Sequence, residues 1–350
     1  MLFRSDVVTG DVHLYSTSDA ADDSFPLQIV PVVTDAQIES VASDGTSMTV
    51  LLSGFGFQEG DAGRYVFGST TVADTGNNAN VFDRYDSALG MTVQNGTVRV
   101  TVSLTEDSGA LTGAAFGAIS ATTAGGTSAA FTRSIASIAS TAFSGTPADP
   151  TKASANPGQA ITLLGSGLST DTDVLVRYVD AIGKVQVLDL KPTTAAADGT
   201  RATLVLPNYA YGYQTVNGAF ELWTLGSSSQ PLLQIVPVLT SWSLDLYGVT
   251  ALKGFGLAEG ATTFTFPGGT ATDTDATDSP SYYGSGIDID ALGARLGGTG
   301  LPRHGVGAVT VTTAGGTSAP IAIGATYGLP WSIGGIAVNP DGKQIGRAHV

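Results

Sequence analysis

Apolar residues in this chain recur at every second position, in short runs. Met48-Thr49-Val50-Leu51-Leu52, Val98-Arg99-Val100-Thr101-Val102 and Ala202-Thr203-Leu204-Val205-Leu206 show the pattern most clearly. A period of two predicts strands with one buried face and one wet face. Between the runs lie clusters of Gly, Ser, Thr, Asp and Asn, the residues that build turns. Helical spacing of apolar residues is scarce, and glycine interrupts nearly every window in which a helix could start. The pattern predicts an all-β chain of many short strands.

Longer-range similarity organises those strands. Leu27-Gln28-Ile29-Val30-Pro31-Val32 returns as Leu233-Gln234-Ile235-Val236-Pro237-Val238 with Leu27 matched by Leu233. Gly54-Phe55-Gly56-Phe57 returns as Gly254-Phe255-Gly256-Leu257, and Thr122–Ala129 returns unchanged as Thr312–Ala319. The offsets lie near ~200 residues, which suits a pair of ~100-residue domains rather than one solenoid repeat. Pro157 to Leu168, ending Gly165-Ser166-Gly167-Leu168, is a second version of the strand that leads into Gly-x-Gly. The expected organisation is an alternation of two module types. A first-type module spans 34–133, a second-type module 134–238, and the first type returns over 239–325. Residues 6–33 resemble the end of a second-type module, because Gly10 to Tyr15 resembles Gly218 to Trp223. Ser144-Gly145-Thr146-Pro147 reads as a short linker that sets spacing.

These residues carry a family resemblance. Gly-x-Gly-(Phe/Leu) after a β-run, followed by Ala308-Val309-Thr310-Val311-Thr312 and Gly315-Gly316-Thr317-Ser318, resembles the IPT/TIG immunoglobulin-like domain. The likeness covers both first-type modules; the second type matches at its opening and lacks the late Gly-Gly-Thr-Ser. It implies tandem immunoglobulin-like β-sandwiches of about seven strands each, strung like beads, and implies no particular function. The Gly-x-Gly itself reads as a sharp turn, not a phosphate loop, because no glycine-spaced helix follows it. Over 326–344, Gly335 to Lys343 resembles the first strand of an NHL- or YVTN-type β-propeller blade, with an Asn-Pro-Asp-Gly turn; an ordinary hairpin is the alternative. The ends, 1–5 and 345–350, resemble translated sequencing adapters and are set aside from fold reasoning. The expectation is an internal piece of a longer metagenomic reading frame.

Composition narrows the chemistry. The 350 residues include 15 basic and 30 acidic ones, for a net charge of −15. Without Lys/Arg clusters there is no expected nucleic-acid partner. No ~18-residue apolar stretch is present, so no membrane span is expected in this chain. There is no cysteine, which excludes disulfides and thiolate catalysis. Histidine is confined to His13, His304 and, in the adapter-like end, His349, none in a triad-like context. No enzyme activity is expected.

Two groups of residues remain as candidates for binding. Asp171-Thr172-Asp173 and Asp273-Thr274-Asp275 with Asp278 offer closely spaced hard oxygens suited to calcium, the one candidate cofactor. They follow no EF-hand loop, and Asp and Thr are also ordinary loop residues. Tyr209, Tyr211 and Tyr213 lie in a Gly/Pro-rich stretch, where they either stack on sugar rings or cap a core. The expected function is a spacer stalk in a secreted or cell-surface bacterial repeat protein, an adhesin being the expected kind, whose partners are its own neighbouring modules. The alternatives are a module that binds glycans or proteins at a cell surface, and accessory domains of a large extracellular hydrolase.

Overall fold

A computed structural model describes residues 10–14, 23–60, 63–76, 79–105, 113–179, 185–208, 219–244, 250–257, 260, 262–274, 287–290, 293–296, 307–323, 336–338 and 344–347. Among them there is no helix, and therefore none long and apolar enough to cross a membrane. A hairpin of β1 (Gly10–Leu14) and β2 (Asp23–Leu27) comes first. Next come β3 (Val32–Val41), β4 (Ser47–Phe55), β5 (Arg64–Phe67), β6 (Thr70–Ala73), β7 (Val81–Asp86), β8 (Met91–Ser103), β9 (Ile119–Thr123) and β10 (Gly126–Thr127). They form two sheets, in the orders β3-β4-β8-β7 and β10-β9-β5-β6. This is the strand order of an immunoglobulin-like sandwich, A-B-E-D facing G-F-C-C′.

The arrangement recurs twice. The second set is β11 (Ser134–Ala139), β12 (Thr146–Pro147), β13 (Ser154–Ala155), β14 (Ala160–Ser166), β15 (Val174–Val179), β16 (Val185–Leu190), β17 (Thr194–Ala195), β18 (Arg201–Val205), β19 (Ala219–Trp223) and β20 (Leu232–Ile235). Its sheets run β11-β14-β18-β17 and β13-β20-β19-β15-β16, with β13 parallel to β20. The third set is β21 (Val238–Leu244), β22 (Thr250–Phe255), β23 (Thr263–Phe266), β24 (Gly269–Thr272), β25 (Ile287–Asp290), β26 (Gly293–Leu296), β27 (Gly307–Thr313), β28 (Gly316–Thr317) and β29 (Ile321–Ile323). Its sheets run β21-β22-β26-β25 and β12-β28-β27-β23-β24, with β29 also on β27. The chain is all-β, a tandem of immunoglobulin-like sandwiches. Last comes a hairpin of β30 (Ile336–Val338) and β31 (Gln344–Arg347). It covers part of the propeller-like stretch, whose turn lies outside the described residues.

Alternation in sequence becomes burial in space. Met48, Val50 and Leu52 on β4 and Val98, Val100 and Val102 on β8 all turn inward, facing Tyr65, Phe67, Ile119 and Ala121 of the opposite sheet. Ala202 and Leu204 do the same in the second sandwich, while Val205 between Leu204 and Leu206 is exposed. Each sandwich has its own apolar cluster; the third is built on Leu252, Phe264, Leu296, Val309 and Val311.

The two glycines of Gly-x-Gly do different work. At the first, the preceding strand presses on the backbone. A Cβ on Gly54 would lie 1.8 Å from Val32 O, one on Gly165 1.8 Å from Ser134 O, and one on Gly254 2.4 Å from Val238 O. The pairing is bulged beside each of them, between Val33 and Asp35, Ile135 and Ser137, and Leu239 and Ser241. The second glycine of each set takes positive φ: 71° at Gly56, 67° at Gly167 and 75° at Gly256. The turn reading therefore covers half the motif, and close approach explains the other half. Gly54→Ala is expected to cost about 1–3 kcal/mol by overpacking, read as a lower denaturant midpoint for the first sandwich at unchanged slope.

One expectation is corrected. Thr146-Pro147 is not a free linker. It is β12, and it adds to the outer edge of the third sandwich, with Thr146 opposite Thr317 and Pro147 opposite Gly316. A two-residue strand has no periodicity to read, so its partner decides its conformation.

Candidate functional site

The described residues bring the sequence-predicted candidates to different places. Asp273 is buried, and its Oδ2 accepts the Gly260 N–H at 2.6 Å. Asp74 in the first sandwich repeats the arrangement, accepting the Gly60 N–H at 2.9 Å. A buried carboxylate that ties down the same loop in both copies has a structural task. Asp171 is exposed in a turn, its N–H donating to Ser169 Oγ. Asp275, Asp278, Tyr209, Tyr211, Tyr213 and His304 lie outside the described residues. Among the described residues no group of three or more His, Asp or Glu side chains could hold a metal ion.

Asp173 lies elsewhere, at the joint between the first two sandwiches. It is fully buried. Its Oδ2 accepts the N–H of Ile38, 135 residues earlier, at 2.6 Å, and its Oδ1 pairs with Lys191 Nζ at 2.8 Å. The turn that offered paired carboxylates in sequence thus uses one of them to hold the preceding sandwich.

Around Asp173 the joint is built from residues that sequence reasoning passed over. Arg133 stands between β10 and β11, with its side chain 6% exposed. Its guanidinium donates from Nη2 to Asp35 Oδ1 at 2.6 Å, from Nη1 to Ala36 O at 3.0 Å and from Nε to Gly167 O at 3.1 Å. One face rests over the Phe131 ring, 5.2 Å from its centre. Asp35 also accepts the N–H of Ala36 and the amide of Gln37. A planar fork with five donors suits this convergence of a carboxylate and two carbonyls; an ammonium does not. Beside the polar contacts, Phe116 and Trp223 meet edge to face at 4.5 Å between ring centres. Leu175, Trp223 and Leu225 of the second sandwich belong to the apolar cluster of the first.

The second joint is made differently. Besides β12 on β28, the Ala148 N–H donates to Gly315 O at 3.2 Å. Asn156 Nδ2 donates to Ser144 O at 2.9 Å and to Val236 O at 3.0 Å. Gln234 exchanges two bonds with the backbone of Asp149, at 2.7 and 2.8 Å. Carboxamides hold the segment in which β12 lies.

Asp189 is a carboxylate on β16 near Asp173 and Lys191. Burial first, then the negative charge of Asp173, push its carboxyl up to about 7 against the pull of Lys191. The residue as a whole is exposed to solvent, so screening trims the consequence. A raised carboxyl favours the fold when protonated. The stability it contributes is present below its ordinary value of 3.8 and is lost as pH rises toward 7. Asp189→Asn is expected to flatten the fall in melting midpoint across that window, measured by thermal scans at several pH values.

No family model matches this chain, and no curated protein matches it. Similar solved structures include the tetra-tandem repeat in the extending region of a large adhesion protein, at 14% identity, covering 84% of this chain and 73% of that one, with a TM-score of 0.19. The chicken CNTN1 FN1-FN3 domains share 10% identity over 84% of this chain and 97% of theirs, with a TM-score of 0.13. A marsupial T cell receptor shares 11% over 82% and 98%, with a TM-score of 0.17. Superpositions this loose carry no argument by themselves, and the immunoglobulin-like assignment rests on the strand order within each sandwich.

Proposed function

We propose that this chain is a tension-resisting spacer in a secreted or cell-surface bacterial repeat protein, one that holds a functional end away from its anchor. The observation that carries the reading is that both joints are built from specific polar contacts between neighbouring sandwiches. Arg133, Asp35 and Asp173 tie the first sandwich to the second, and β12 ties the second segment to the third. Contacts of this kind resist bending where a bare linker would not. Its partners are its own neighbouring modules, and neither catalysis nor a cofactor enters the role. An adhesin is the natural parent for such a stalk.

Stretching single molecules of the full chain tests the reading. The expected record is a series of separate unfolding steps, each releasing roughly 300 Å of contour, the extended length of a ~100-residue sandwich. A chain that extends smoothly without force peaks is no tension-resisting spacer. Dose-dependent binding on a glycan array that Tyr211→Ala abolishes would also overturn the reading, in favour of a sugar-binding module.

A further inference from the structure

Thr122–Ala129 and Thr312–Ala319 are the same eight residues, and they fold alike. Thr127 pairs with Thr122 and Thr317 with Thr312. Ser128 Oγ accepts the Ala121 N–H at 3.0 Å, and Ser318 Oγ accepts the Val311 N–H at the same distance. Their outer edges differ. In the third sandwich β12 lies along β28, so close that a Cβ on Gly316 would be 2.3 Å from Thr146 O. In the first sandwich, among the described residues, nothing pairs with the outer edge of β10. A Cβ on Gly126 would meet only the Val30 side chain, at 3.5 Å.

The flanking valines tell the same story. Val30 and Val236 are equivalent in the repeated Gln-Ile-Val-Pro-Val. Val236 is 0% exposed, while Val30 is 49% exposed. What lies against Val236 is Gly145, where a Cβ would be 2.8 Å from Val236 Cγ1 and 2.4 Å from Thr317 O. A segment with glycine ahead of Thr-Pro is therefore what fits: the glycine seats over the valine and the next two residues pair with Gly-Thr.

We propose that the open edge of β10 together with Val30 is a docking site for a Gly-Thr-Pro segment of the kind found at Gly145–Pro147, presented by another second-type module. The segment adds as an antiparallel strand along Gly126–Thr127 and covers Val30. Its proline has no N–H to offer a further strand. An exposed edge beside an exposed valine is otherwise an invitation to unspecific pairing. The proposal rests on the spacer reading only in taking another module as the partner.

Cysteine trapping tests it in the full chain, which has no cysteine of its own. The Thr127→Cys chain is held in a glutathione redox buffer with a synthetic peptide of residues 141–150 carrying Thr146→Cys, the register seen between Thr146 and Thr317. The mixed disulfide is expected to form about tenfold more than with a scrambled peptide, because docking raises the local thiol concentration. Adding Val30→Asp to that chain should remove the excess while the melting midpoint stays unchanged. A Thr317→Cys chain, whose edge β12 already fills, should trap both peptides equally. Equal trapping of native and scrambled peptides at Thr127, or an excess that survives Val30→Asp, overturns the docking site. Neither outcome touches the force peaks that test the spacer.

Discussion

Trp223→Ala is expected to cost about 3–5 kcal/mol, the range for removing a large buried aromatic, and the loss should extend beyond the sandwich that holds the residue. Trp223 is 4% exposed and belongs to β19 of the second sandwich, yet it packs in the apolar cluster of the first and meets Phe116 edge to face. With the ring gone, the first sandwich should unfold at lower guanidinium concentration than in the parent chain, and one shared transition should separate into two. A double-mutant cycle with Phe116→Leu isolates the ring contact, expected to contribute about 1 kcal/mol. Strict additivity of the two changes would mean that the sandwiches are not coupled through this pair.

Arg133→Ala is the second large effect, expected at about 3 kcal/mol. The change removes a guanidinium whose side chain is only 6% exposed and strands the groups it satisfies. Ala36 O and Gly167 O lose a donor, and Asp35 loses its ion pair. Asp35 itself is 32% exposed, which keeps the loss toward the low end of the range for buried pairs. Arg133→Lys is expected to recover less than half of the loss, because one ammonium cannot reach three acceptors in a plane. Hydrogen exchange at the Ile38 amide, held by the neighbouring Asp173, reads the joint locally and should quicken in both variants. If the midpoint is unchanged in Arg133→Ala, the joint is held by its apolar contacts alone.

Much of the architecture was legible because it repeats short-range rules. Alternation at Met48 to Leu52 and Val98 to Val102 announces a half-buried sheet, and the burial follows residue by residue. The Gly-x-Gly sites announced a turn, although the reason for the first glycine, a carbonyl at Val32 or Ser134 pressing on its backbone, involves a strand about twenty or thirty residues away and leaves no local trace. The joints were illegible for the same cause. Arg133 is a lone cation at a module boundary, and only folding reveals that Asp35, Ala36 and Gly167 converge on it. Asp173 stood out as one of two nearby carboxylates, but its partners are the amide of Ile38 and Lys191. A sequence shows which side chains carry charge; it does not show which distant backbone groups need them.

The strand β12 has a consequence for how the chain is made. A ribosome releases Thr146 and Pro147 long before Gly316 and Thr317, with about 170 residues of synthesis between them, so the pair closes a very long loop. Early in synthesis the second sandwich can form its own sheets, because β12 belongs to neither of them. The third sandwich finishes only when its late edge finds a strand that has been waiting beside its predecessor. Assembly of this joint is therefore directional: the second segment offers a strand to the third sandwich, and a chain emerging in the natural order meets that strand already in place. A gene in which these segments were permuted would encode every contact and still lose the order in which they can be made.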